Sequence, residues 1–356
     1  MLFITLSVFA VAAAISGALA CPPPKHCPPF QGNFTIEEYQ LYPENAEFDT
    51  KSCLLYISNL YTGTVSAYDP YKNEVVEVIE FPGITRTPEA GLFVAGLDID
   101  KRTGLISILA NAAAAFIQQP AGSNISGSNL VMLWDPKTKK ELYRVNLTET
   151  TQGQYGGFAD LEQDPHGNVY INSMFPGSIL KLDSFNGRTP PKVTEWFLRQ
   201  PRDTSIDGFG GIAAKDWTLL THDNGNGQLL KFDMRSSSGS PVVIPVSGNH
   251  TFFDSDALAL PEKYKGTVLL IAGGPGIRVF RSKDGKWNTA EYLGTVAKAS
   301  FGLPPNYLAT AALQVGNGLN MVVLPTGDNP IPTEAGTRAS FPFYDITDRV
   351  EQLLAV

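Results

Sequence analysis

The stretch AEFDTKSCLLYISN (residues 46–59) contains a short apolar strand, a turn, and a β-rich strand that ends on Asn59. The same succession returns in GLDIDKRTGLISILAN (96–111), ADLEQDPHGNVYINS (159–173) and GIAAKDWTLLTHDN (211–224). A repeat of about 50 residues built from hairpins is typical of a β-propeller, in which each repeat forms one four-stranded blade. The sequence therefore predicts an all-β propeller whose strand ends converge on one face.

Strand-like segments between turn residues fall into six sets, which predicts six blades, with seven as the alternative. The last set provides three strands, YLATAAL, NMVVLP and FPFYDI. Its fourth strand is expected from TIEEYQLY (35–42), so that N-terminal sequence closes the ring and removes the free sheet edges. The second set carries the long insertion NAAAAFIQQPAGSNISGSN (111–129) in its hairpin.

The first 20 residues, MLFITLSVFAVAAAISGALA, form an apolar run that closes on the small residues Ala18 and Ala20, as a secretory signal does. The Pro-rich CPPPKHCPP that follows cannot continue a helix, which favours a cleaved signal over a membrane anchor of similar length. We expect a signal peptide at 1–20, a Pro/Cys-rich tail at 21–33 and one propeller domain at 34–356. The expected location is the secretory pathway, either secreted or in a vacuolar or vesicular lumen, with no membrane partner.

Entry into that pathway predicts glycans and a disulfide. Four asparagines begin the glycosylation pattern N-x-S/T, namely Asn33, Asn124, Asn146 and Asn249. The three cysteines Cys21, Cys27 and Cys53 allow at most one internal pair, and we expect Cys27 to Cys53, which ties the N-terminal tail to the first blade. No Cys or His spacing suits a structural zinc site.

The composition points to a folded protein that binds small molecules. Only 17% of the residues are charged, and 33 Gly and 26 Pro make the chain rich in turns. The net charge of -8 disfavours nucleic acid and anionic membranes, which both require a cationic surface. The GxSxG, HExxH, dinucleotide-binding and calcium-loop patterns are absent from the sequence. We therefore expect a monomer without a covalent nucleophile, metal or cofactor.

The propeller geometry converts the repeat into a candidate site. The innermost strand of each blade begins on the face where the second strand ends, so these positions are predicted to form a funnel around the central channel. Its polar members are Glu44, Asn59, Asn111, Asn172, Asp207, His222, Asp223, Asp254 and Asp256. Its aromatic and apolar members are Phe93, Tyr155, Phe158, Met174, Phe175, Phe209 and Phe301. Polar groups above apolar walls are typical of a small-ligand pocket.

A structural role is the alternative for each of these residues. Asn and Asp at strand ends often bond backbone groups in turns, and His222 can be either an acid-base group or a satisfied hydrogen-bonding residue. Recurrence at corresponding places in the repeats favours the functional interpretation. Asn59, Asn111 and Asn172 are then candidate hydrogen-bond donors, with His222 and Asp223 as candidate proton-transfer groups.

The segment ENAEFDTKSCLLYISNLYTGTVSAYDP (44–70) resembles the opening blade of a fungal propeller group that includes the trichothecene-cluster protein family and secreted propeller allergens of skin yeasts. In blade layout the chain is similar to the hetero-Diels-Alderase family of fungal tropolone sesquiterpenoid clusters, whose members are secretory-pathway glycoproteins. The likeness covers most of the mature chain and is sharpest in 43–70 and 205–233. It transfers no catalytic residue.

The resemblance implies a cofactor-independent hetero-Diels-Alder cycloaddition between a tropolone quinone methide, derived from a polyketide, and a humulene-type sesquiterpene. Such a reaction needs two apolar partners held in one orientation and a donor that polarises the heterodiene oxygen. A trichothecene-type intramolecular ring closure is one alternative. A calcium-dependent gluconolactonase-like enzyme using Glu44, Asn172 and Asp207 is another. A secreted propeller that binds ligands without catalysis is the third.

Overall fold

The structure is a computed structural model that describes residues 27–329, 331 and 334–355. The expected signal peptide (1–20) and residues 21–26 of the tail, with Cys21, lie outside the described residues. Twenty-four strands of the described chain form six antiparallel sheets of four strands each. The innermost strand of every sheet packs against those of the two neighbouring sheets, which closes a ring. The six-bladed propeller is confirmed, and the alternative of seven blades is wrong.

The chain enters the ring at its rim with β1 (Phe34–Glu37) and then builds its blades from the axis outward. The first blade consists of β2 (Pro43–Asp49), β3 (Leu54–Asn59), β4 (Thr64–Asp69) and β5 (Glu74–Glu80). The second consists of β6 (Leu92–Ile99), β7 (Ile106–Ala112), β8 (Leu130–Asp135) and β9 (Lys140–Asn146). The third consists of β10 (Gly156–Gln163), β11 (Val169–Phe175), β12 (Gly177–Leu182) and β13 (Val193–Leu198).

The remaining blades follow the same plan until the last, which borrows its outer strand. The fourth blade consists of β14 (Phe209–Lys215), β15 (Thr218–Asp223), β16 (Gln228–Asp233) and the short β17 (Val242–Val243). The fifth consists of β18 (Ser255–Ala259), β19 (Val268–Gly273), β20 (Gly276–Arg281) and β21 (Glu291–Ala297). The sixth consists of β22 (Leu308–Val315), β23 (Gly318–Leu324), β24 (Ser340–Asp345) and β1.

The ring is closed by N-terminal sequence, as predicted. Strand β1 pairs antiparallel with β24, from Phe34 opposite Phe343 to Glu37 opposite Ser340. The Phe34 and Phe343 rings stack with centroids 4.8 Å apart. The predicted disulfide joins Cys27 to Cys53 in the turn after β2, so the tail is fixed to the first blade. Hydrogen bonds and one covalent link therefore close the circle that the chain order leaves open.

Apolar strand faces pack one blade against the next. Ile106 and Ile108 of β7, for example, lie in one buried cluster with Val65 and Ala67 of β4. β-Branched side chains are favoured on such pleated, buried surfaces. Each fully buried aliphatic side chain contributes roughly 1.5–3 kcal/mol, so the interfaces between blades carry much of the stability.

A β-bulge recurs in the innermost strands. In five blades, two residues of the inner strand lie opposite one residue of the second strand. The five pairs are Glu44–Asn45 opposite Ser58, Ala95–Gly96 opposite Leu109, Ala159–Asp160 opposite Asn172, Gly210–Gly211 opposite His222, and Asp256–Ala257 opposite Ala272. In the sixth blade, β22 has a single extra residue, Thr310. Bulges redirect side chains and often lie beside functional sites.

Three α-helices of the described residues lie outside the blades. Helix α1 (Ala114–Ile117) belongs to the predicted insertion, and its Phe116 packs on Phe175 at the end of the third blade's second strand. Helix α2 (Leu147–Thr151) follows β9, and α3 (Thr347–Leu354) packs on the fifth and sixth blades. The sequence analysis anticipated the insertion but none of the helices. No helix of the described chain is both long and apolar enough to cross a membrane.

Candidate functional site at the propeller axis

The carboxyl group of Asp160 lies where four blades meet. Its Oδ1 accepts hydrogen bonds from Asn45 Nδ2 of the first blade at 3.2 Å and from the backbone N–H of Leu161 at 2.9 Å. Its Oδ2 accepts from the backbone N–H of Ile212 of the fourth blade at 3.3 Å. The second blade contributes Gly96, which has no side chain. A Cβ at this position would lie only 2.8 Å from Asp160 Cα, so glycine permits the close approach of the two strands. Asp160 therefore occupies the axis of the propeller.

Two further carboxyl groups come from bulges around the same level. Glu44 of the first blade and Asp256 of the fifth join Asn45 and Asp160, and these four residues are called the axial ring. Electrostatic repulsion from Asp256 and Asp160 acts on Glu44. Glu44 Oε2 is buried and has no hydrogen-bond partner among the described residues. An unpaired buried acceptor of this kind is costly unless a proton or a ligand satisfies it.

Burial favours the protonated form of the acids of the axial ring. It raises the pKa of Asp160 to about 8, although the backbone N–H groups of Leu161 and Ile212 act in the opposite direction. Burial likewise raises the pKa of Asp256 to about 7, and burial with repulsion raises that of Glu44 well above its usual range. A protonated carboxyl can donate a hydrogen bond or a proton. Near pH 7 the axial ring thus presents a mostly protonated Asp160, whereas Asp256 is about half ionised.

A second group of acids lies further along the channel. Each of them follows, by one residue, the first inner-strand residue that pairs with the second strand after the bulge. The lower tier is formed by one acid from each of the first three blades, Glu47, Asp98 and Glu162. In the strand register these residues lie opposite Tyr56, Ser107 and Tyr170. Burial raises the pKa of Glu47 to about 7 and that of Asp98 to about 6. Burial and repulsion by Asp98, Asp160 and Glu47 raise the pKa of Glu162 well above its usual range.

An ion pair crosses the end of the channel beside the lower tier. Lys101 Nζ, in the turn after β6, lies 2.8 Å from Glu262 Oε1, in the turn after β18. The second and fifth blades are opposite each other in a ring of six, so the pair spans the opening. Desolvation would lower the pKa of Lys101, but attraction by Glu47, Glu262 and Asp98 raises it overall.

The three predicted asparagine donors are buried and bonded within the protein. Their exposed fractions are 2% for Asn59, 3% for Asn111 and 0% for Asn172. Asn111 Nδ2 donates to the carbonyl of Phe158 in the next blade at 2.7 Å, and Asn172 Nδ2 donates to that of Phe209 at 2.7 Å. Both amides therefore connect neighbouring blades.

Asn59 makes its contacts within its own blade. Its Nδ2 donates to the hydroxyls of Thr64 at 2.7 Å and Ser66 at 2.9 Å. The Oδ1 atoms of Asn59 and Asn111 are without partners among the described residues, whereas Asn172 Oδ1 accepts from the N–H of Asp160. A catalytic role for the three stays a prediction, but at least one N–H of each amide is already engaged within the protein.

The predicted recurrence of these polar groups at corresponding strand positions is wrong. Asn59 pairs with Pro43 and Asp223 with Phe209, both just before the bulge. The residue at that position in the second blade is Ala110, so Asn111 lies one residue later. Asn172 lies one residue earlier, opposite the bulge. A shift of one residue turns a strand side chain to the opposite face, so the four groups do not form one ring.

His222 and Asp223 are held in place by surrounding groups. His222 Nδ1 lies 3.0 Å from Asn224 Oδ1 and 3.1 Å from Ser255 Oγ, and the imidazole stacks on Phe252 with centroids 3.7 Å apart. Burial lowers the pKa of His222 to about 4, so the ring is neutral at higher pH. Asp223 is buried in an ion pair with Arg199. Nδ1 of His222 is therefore satisfied and the Asp223 carboxylate is compensated, whereas Nε2 of His222 is buried without a hydrogen-bond partner among the described residues.

The predicted aromatic members are mostly part of the packing between blades. Phe93, Tyr155, Phe158, Phe175 and Phe209 are buried, whereas Met174 is half-buried. Contacts of these residues include a ring contact of Phe93 with Tyr61 at 5.4 Å and a hydrogen bond from Tyr155 to Glu195 at 2.8 Å. These side chains form walls behind the axis.

Three predicted members lie away from the axial ring. Phe301 packs on Tyr344, and the Arg349 guanidinium lies 3.8 Å from its ring centroid, between the fifth and sixth blades. Asp207 is exposed, and Asp254 is exposed and paired with Arg278. Of the predicted polar residues, the structure brings Glu44 and Asp256 to the axial ring.

The sequence analysis missed Asn45 and Asp160 of the axial ring and all three lower-tier acids. A signal for them was present, because the first halves of the repeats read AEFD, GLDID and ADLEQD, each with an acid one residue after the same strand position. Attention to strand ends alone overlooked it. The bulge that brings Asp160 to the axis has no local sequence signature here.

The structure also bears on the remaining candidate sites. Asn33 is exposed, Asn124 and Asn146 are half-buried, and the side chain of Asn249 lies outside what the structure describes. No group of three or more His, Cys, Asp or Glu side chains in the described ranges could hold a metal ion. The ligand set of Glu44, Asn172 and Asp207 considered for calcium is not assembled, because Asn172 is bonded at both amide atoms and Asp207 is exposed.

Known proteins resemble this chain in sequence and in fold. Residues 25–296 match the family described as Mal s 1 allergenic protein-like. Trichothecene biosynthesis protein 14 of Trichoderma arundinaceum is 36% identical, over 92% of this chain and 92% of that protein. Core trichothecene cluster (CTC) protein 14 of Fusarium sporotrichioides is 32% identical, over 92% of this chain and 88% of that protein. These matches confirm the wider propeller group expected from the sequence.

A solved structure shows the same fold. The major allergen Mala s 1 of Malassezia sympodialis superposes with a TM-score of 0.74 at 19% identity, over 89% of this chain and 96% of that chain. At this identity the likeness supports the architecture alone.

Proposed function

Since this chain belongs to the Mal s 1 allergenic protein-like family, we propose that it is a monomeric propeller of the secretory pathway that works in secondary-metabolite biosynthesis. Two relatives of nearly full length are named for trichothecene biosynthesis, which supports a biosynthetic role. The proposed site is the axial ring. Its substrates are small, largely apolar molecules that carry a reactive oxygen, and its reaction is a cyclisation that needs no bound cofactor.

One observation carries this proposal. Asp160 is a carboxyl group on the propeller axis, held by Asn45, Leu161 and Ile212, with its pKa raised to about 8. At pH 7 it is mostly protonated and preorganised to donate to a substrate oxygen. Donation of this kind contributes roughly 10²–10⁴-fold to a rate, and a fixed donor costs little reorganisation.

The specific reaction we propose is the hetero-Diels-Alder union of a tropolone quinone methide with a humulene-type sesquiterpene. The acid groups of the axial ring polarise the heterodiene oxygen, a role given to Asn59, Asn111 and Asn172 from sequence alone. The two new bonds form between the substrates, and no proton is transferred to completion. Orientation of the two partners provides the remaining rate effect.

Trichothecene-type ring closure within one molecule is the second candidate, favoured by the names of the two relatives. Here a hydroxyl oxygen attacks an allylic carbon, the new C–O bond forms as the allylic C–O bond breaks, and an axial acid protonates the departing oxygen. An ionised neighbouring carboxyl accepts the proton of the attacking hydroxyl. Asp256 is close enough to Asp160 to interact electrostatically, and its pKa of about 7 leaves it partly ionised at neutral pH, so it is the candidate for that acceptor.

The test is to incubate the purified full-length glycoprotein with the two cycloaddition precursors and, separately, with an allylic diol that can close. Acceleration and a single stereoisomer are expected in one of the two reactions. For either one the rate should fall above about pH 8, where Asp160 ionises. Rates and product ratios equal to those in buffer would refute both reactions, and tight binding without turnover would support a non-catalytic ligand-binding propeller instead.

A further inference from the structure

A groove runs between the outer parts of the second and third blades, away from the axial ring. Its volume is about 520 Å³, which falls within the 300–1,000 Å³ typical of ligand sites. One wall comes from the end of β9 and from α2, and the other from the segment that leads into β13. Asn146, an asparagine of a glycosylation pattern, is part of the lining.

Asn146 is arranged so that a sugar can be attached without loss of its structural role. Its Oδ1 accepts a hydrogen bond from the N–H of Thr148 at 3.1 Å and caps α2. Its Nδ2 makes no hydrogen bond within the described chain. N-glycosylation substitutes Nδ2 and leaves Oδ1 as an acceptor. The cap and the glycan are therefore compatible.

The lining offers both surfaces that a saccharide needs. Pro190, Pro191 and Val193 provide an apolar wall, which suits the C–H faces of a pyranose ring. Glu149 and Thr150 provide an acceptor and a hydroxyl, and neither side chain makes a hydrogen bond within the described chain. Sugar hydroxyls can satisfy these groups in the way that ordered water does.

We propose that an N-linked glycan on Asn146 occupies this groove, with its first sugars against Pro190, Pro191 and Val193. The glycan reaches the groove because its attachment atom is already part of the wall, so little chain entropy is lost on docking. The proposal requires passage through the secretory pathway. The Cys27–Cys53 disulfide supports it, since such bonds persist in oxidising compartments.

The test compares two sites in one molecule. The full-length chain, secreted from a eukaryotic host, is treated under native conditions with an endoglycosidase, and glycan release is followed by peptide mass spectrometry at Asn146 and at the exposed Asn33. We expect release at Asn146 to be at least tenfold slower, and equal rates after denaturation. If Asn33 carries no glycan, the release rate at Asn146 is compared between the wild type and Thr150→Arg. The arginine side chain should fill the groove and displace the glycan, so release at Asn146 should become faster by a similar factor.

A matched variant distinguishes the effect of losing the glycan from the effect of losing the helix cap. Asn146→Asp keeps an oxygen acceptor for Thr148 and removes the attachment atom. The secreted variant should fold, lose one glycan and expose the Val193 region to faster hydrogen exchange. A secreted wild-type chain without a glycan on Asn146 would overturn the proposal. Equal native release rates at Asn146 in the wild type and in Thr150→Arg would overturn it as well.

Discussion

The first three blades and the last three have the same inner-strand backbone but opposite chemistry. One residue beyond the first pair after the bulge, blades one to three carry Glu47, Asp98 and Glu162. At the matching position, blades four to six carry Ala213, Ala259 and Ala312, which pair with Leu220, Leu270 and Met321. The channel therefore has an acidic half and an alanine half.

The difference shows how a repeated scaffold sets up an unusual electrostatic environment. An alanine side chain can neither donate a hydrogen bond nor compensate a charge. The alanine half therefore does not stabilise the ionised form of the acids. Burial then raises their pKa values, and mutual repulsion adds to the effect. Lys101 is a nearby cation, and its contact with Glu262 lies at the mouth.

The largest expected effect is on activity, from the change that removes the acid at the axis. Asp160→Asn keeps the shape but replaces the acidic O–H by an amide N–H, which polarises a substrate oxygen less strongly and cannot transfer a proton. We expect cyclisation to slow by about 100-fold or more while the fold is retained, measured as initial rate with the precursors described above.

The matched control for this change is Asp216→Asn, the same substitution at an exposed turn of the fourth blade. It should leave the rate unchanged. If Asp160→Asn is as active as Asp216→Asn, the acid on the axis has no part in the reaction.

The next effect is on stability, when the alanine half receives an acid. Ala259→Asp adds a carboxyl to a half-buried position at the level of the lower tier, where it joins other acids. We expect the free energy of unfolding to fall by roughly 2–3 kcal/mol at pH 8, and by less at pH 5, where the new group is protonated. Urea unfolding at both pH values measures this.

Ala259→Asn serves as the control, because it has nearly the same volume and never ionises. Its loss of stability should be the same at both pH values. A pH-independent loss in Ala259→Asp would mean that crowding rather than charge limits the alanine half.

The acidic half should make the protein less stable as the pH rises. The pKa values of Glu47, Asp98 and Asp160 are raised to about 7, 6 and 8, above their unfolded values near 4. The folded protein thus binds more protons than the unfolded chain, so the free energy of unfolding falls as pH rises from about 4 to 8. Each full proton of difference contributes about 1.4 kcal/mol per pH unit.

Urea midpoints across this pH range test the prediction. Combined Glu47→Gln, Asp98→Asn and Glu162→Gln substitutions should flatten the slope, whereas Glu→Gln changes at the exposed rim residues Glu74 and Glu89 should not. A wild-type slope of opposite sign over this window would contradict the burial of the acids as protonated groups.

The smallest expected effect comes from the ion pair at the channel mouth. Lys101→Met removes the contact with Glu262, and since the lysine side chain is 67% exposed, the cost at neutral pH should be under about 1 kcal/mol. The change also removes the attraction between the lysine and the carboxylates of Glu47 and Asp98, so their pKa values should rise further. The free energy of unfolding should then fall more steeply with pH. Lys72→Met, which breaks the contact between the exposed Lys72 and Asp69 away from the channel, should change neither the slope nor its window.

Several features could be predicted because their signals are local. Alternating apolar residues and turn sequences indicated the strands of every blade, and the spare strand before Glu44 indicated how the ring closes. The pairing of Cys27 with Cys53 followed from where the tail must attach. The short helices α1 and α2 were missed, since four or five residues carry little periodicity.

The candidate site was predicted less well. Glu44 and Asp256 were identified, but Asn59, Asn111 and Asn172 were grouped by their place at strand ends, where register decides which face a side chain points to. Asp160 reaches the axis only because its strand bulges opposite Asn172 and because Gly96 yields space. Neither condition can be seen within one repeat.

The sequence by itself determined the propeller repeat, because strand periodicity and turn residues are local signals, and it led us to expect six blades, with seven as the alternative, closure by N-terminal sequence and a Cys27–Cys53 disulfide. Only the tertiary structure decided which side chains share the axis and what charge they carry. The reason is that Asn45, Asp160 and Ile212 come from three different blades, and the pKa of a carboxyl depends on how much water and how many charges those blades together leave around it.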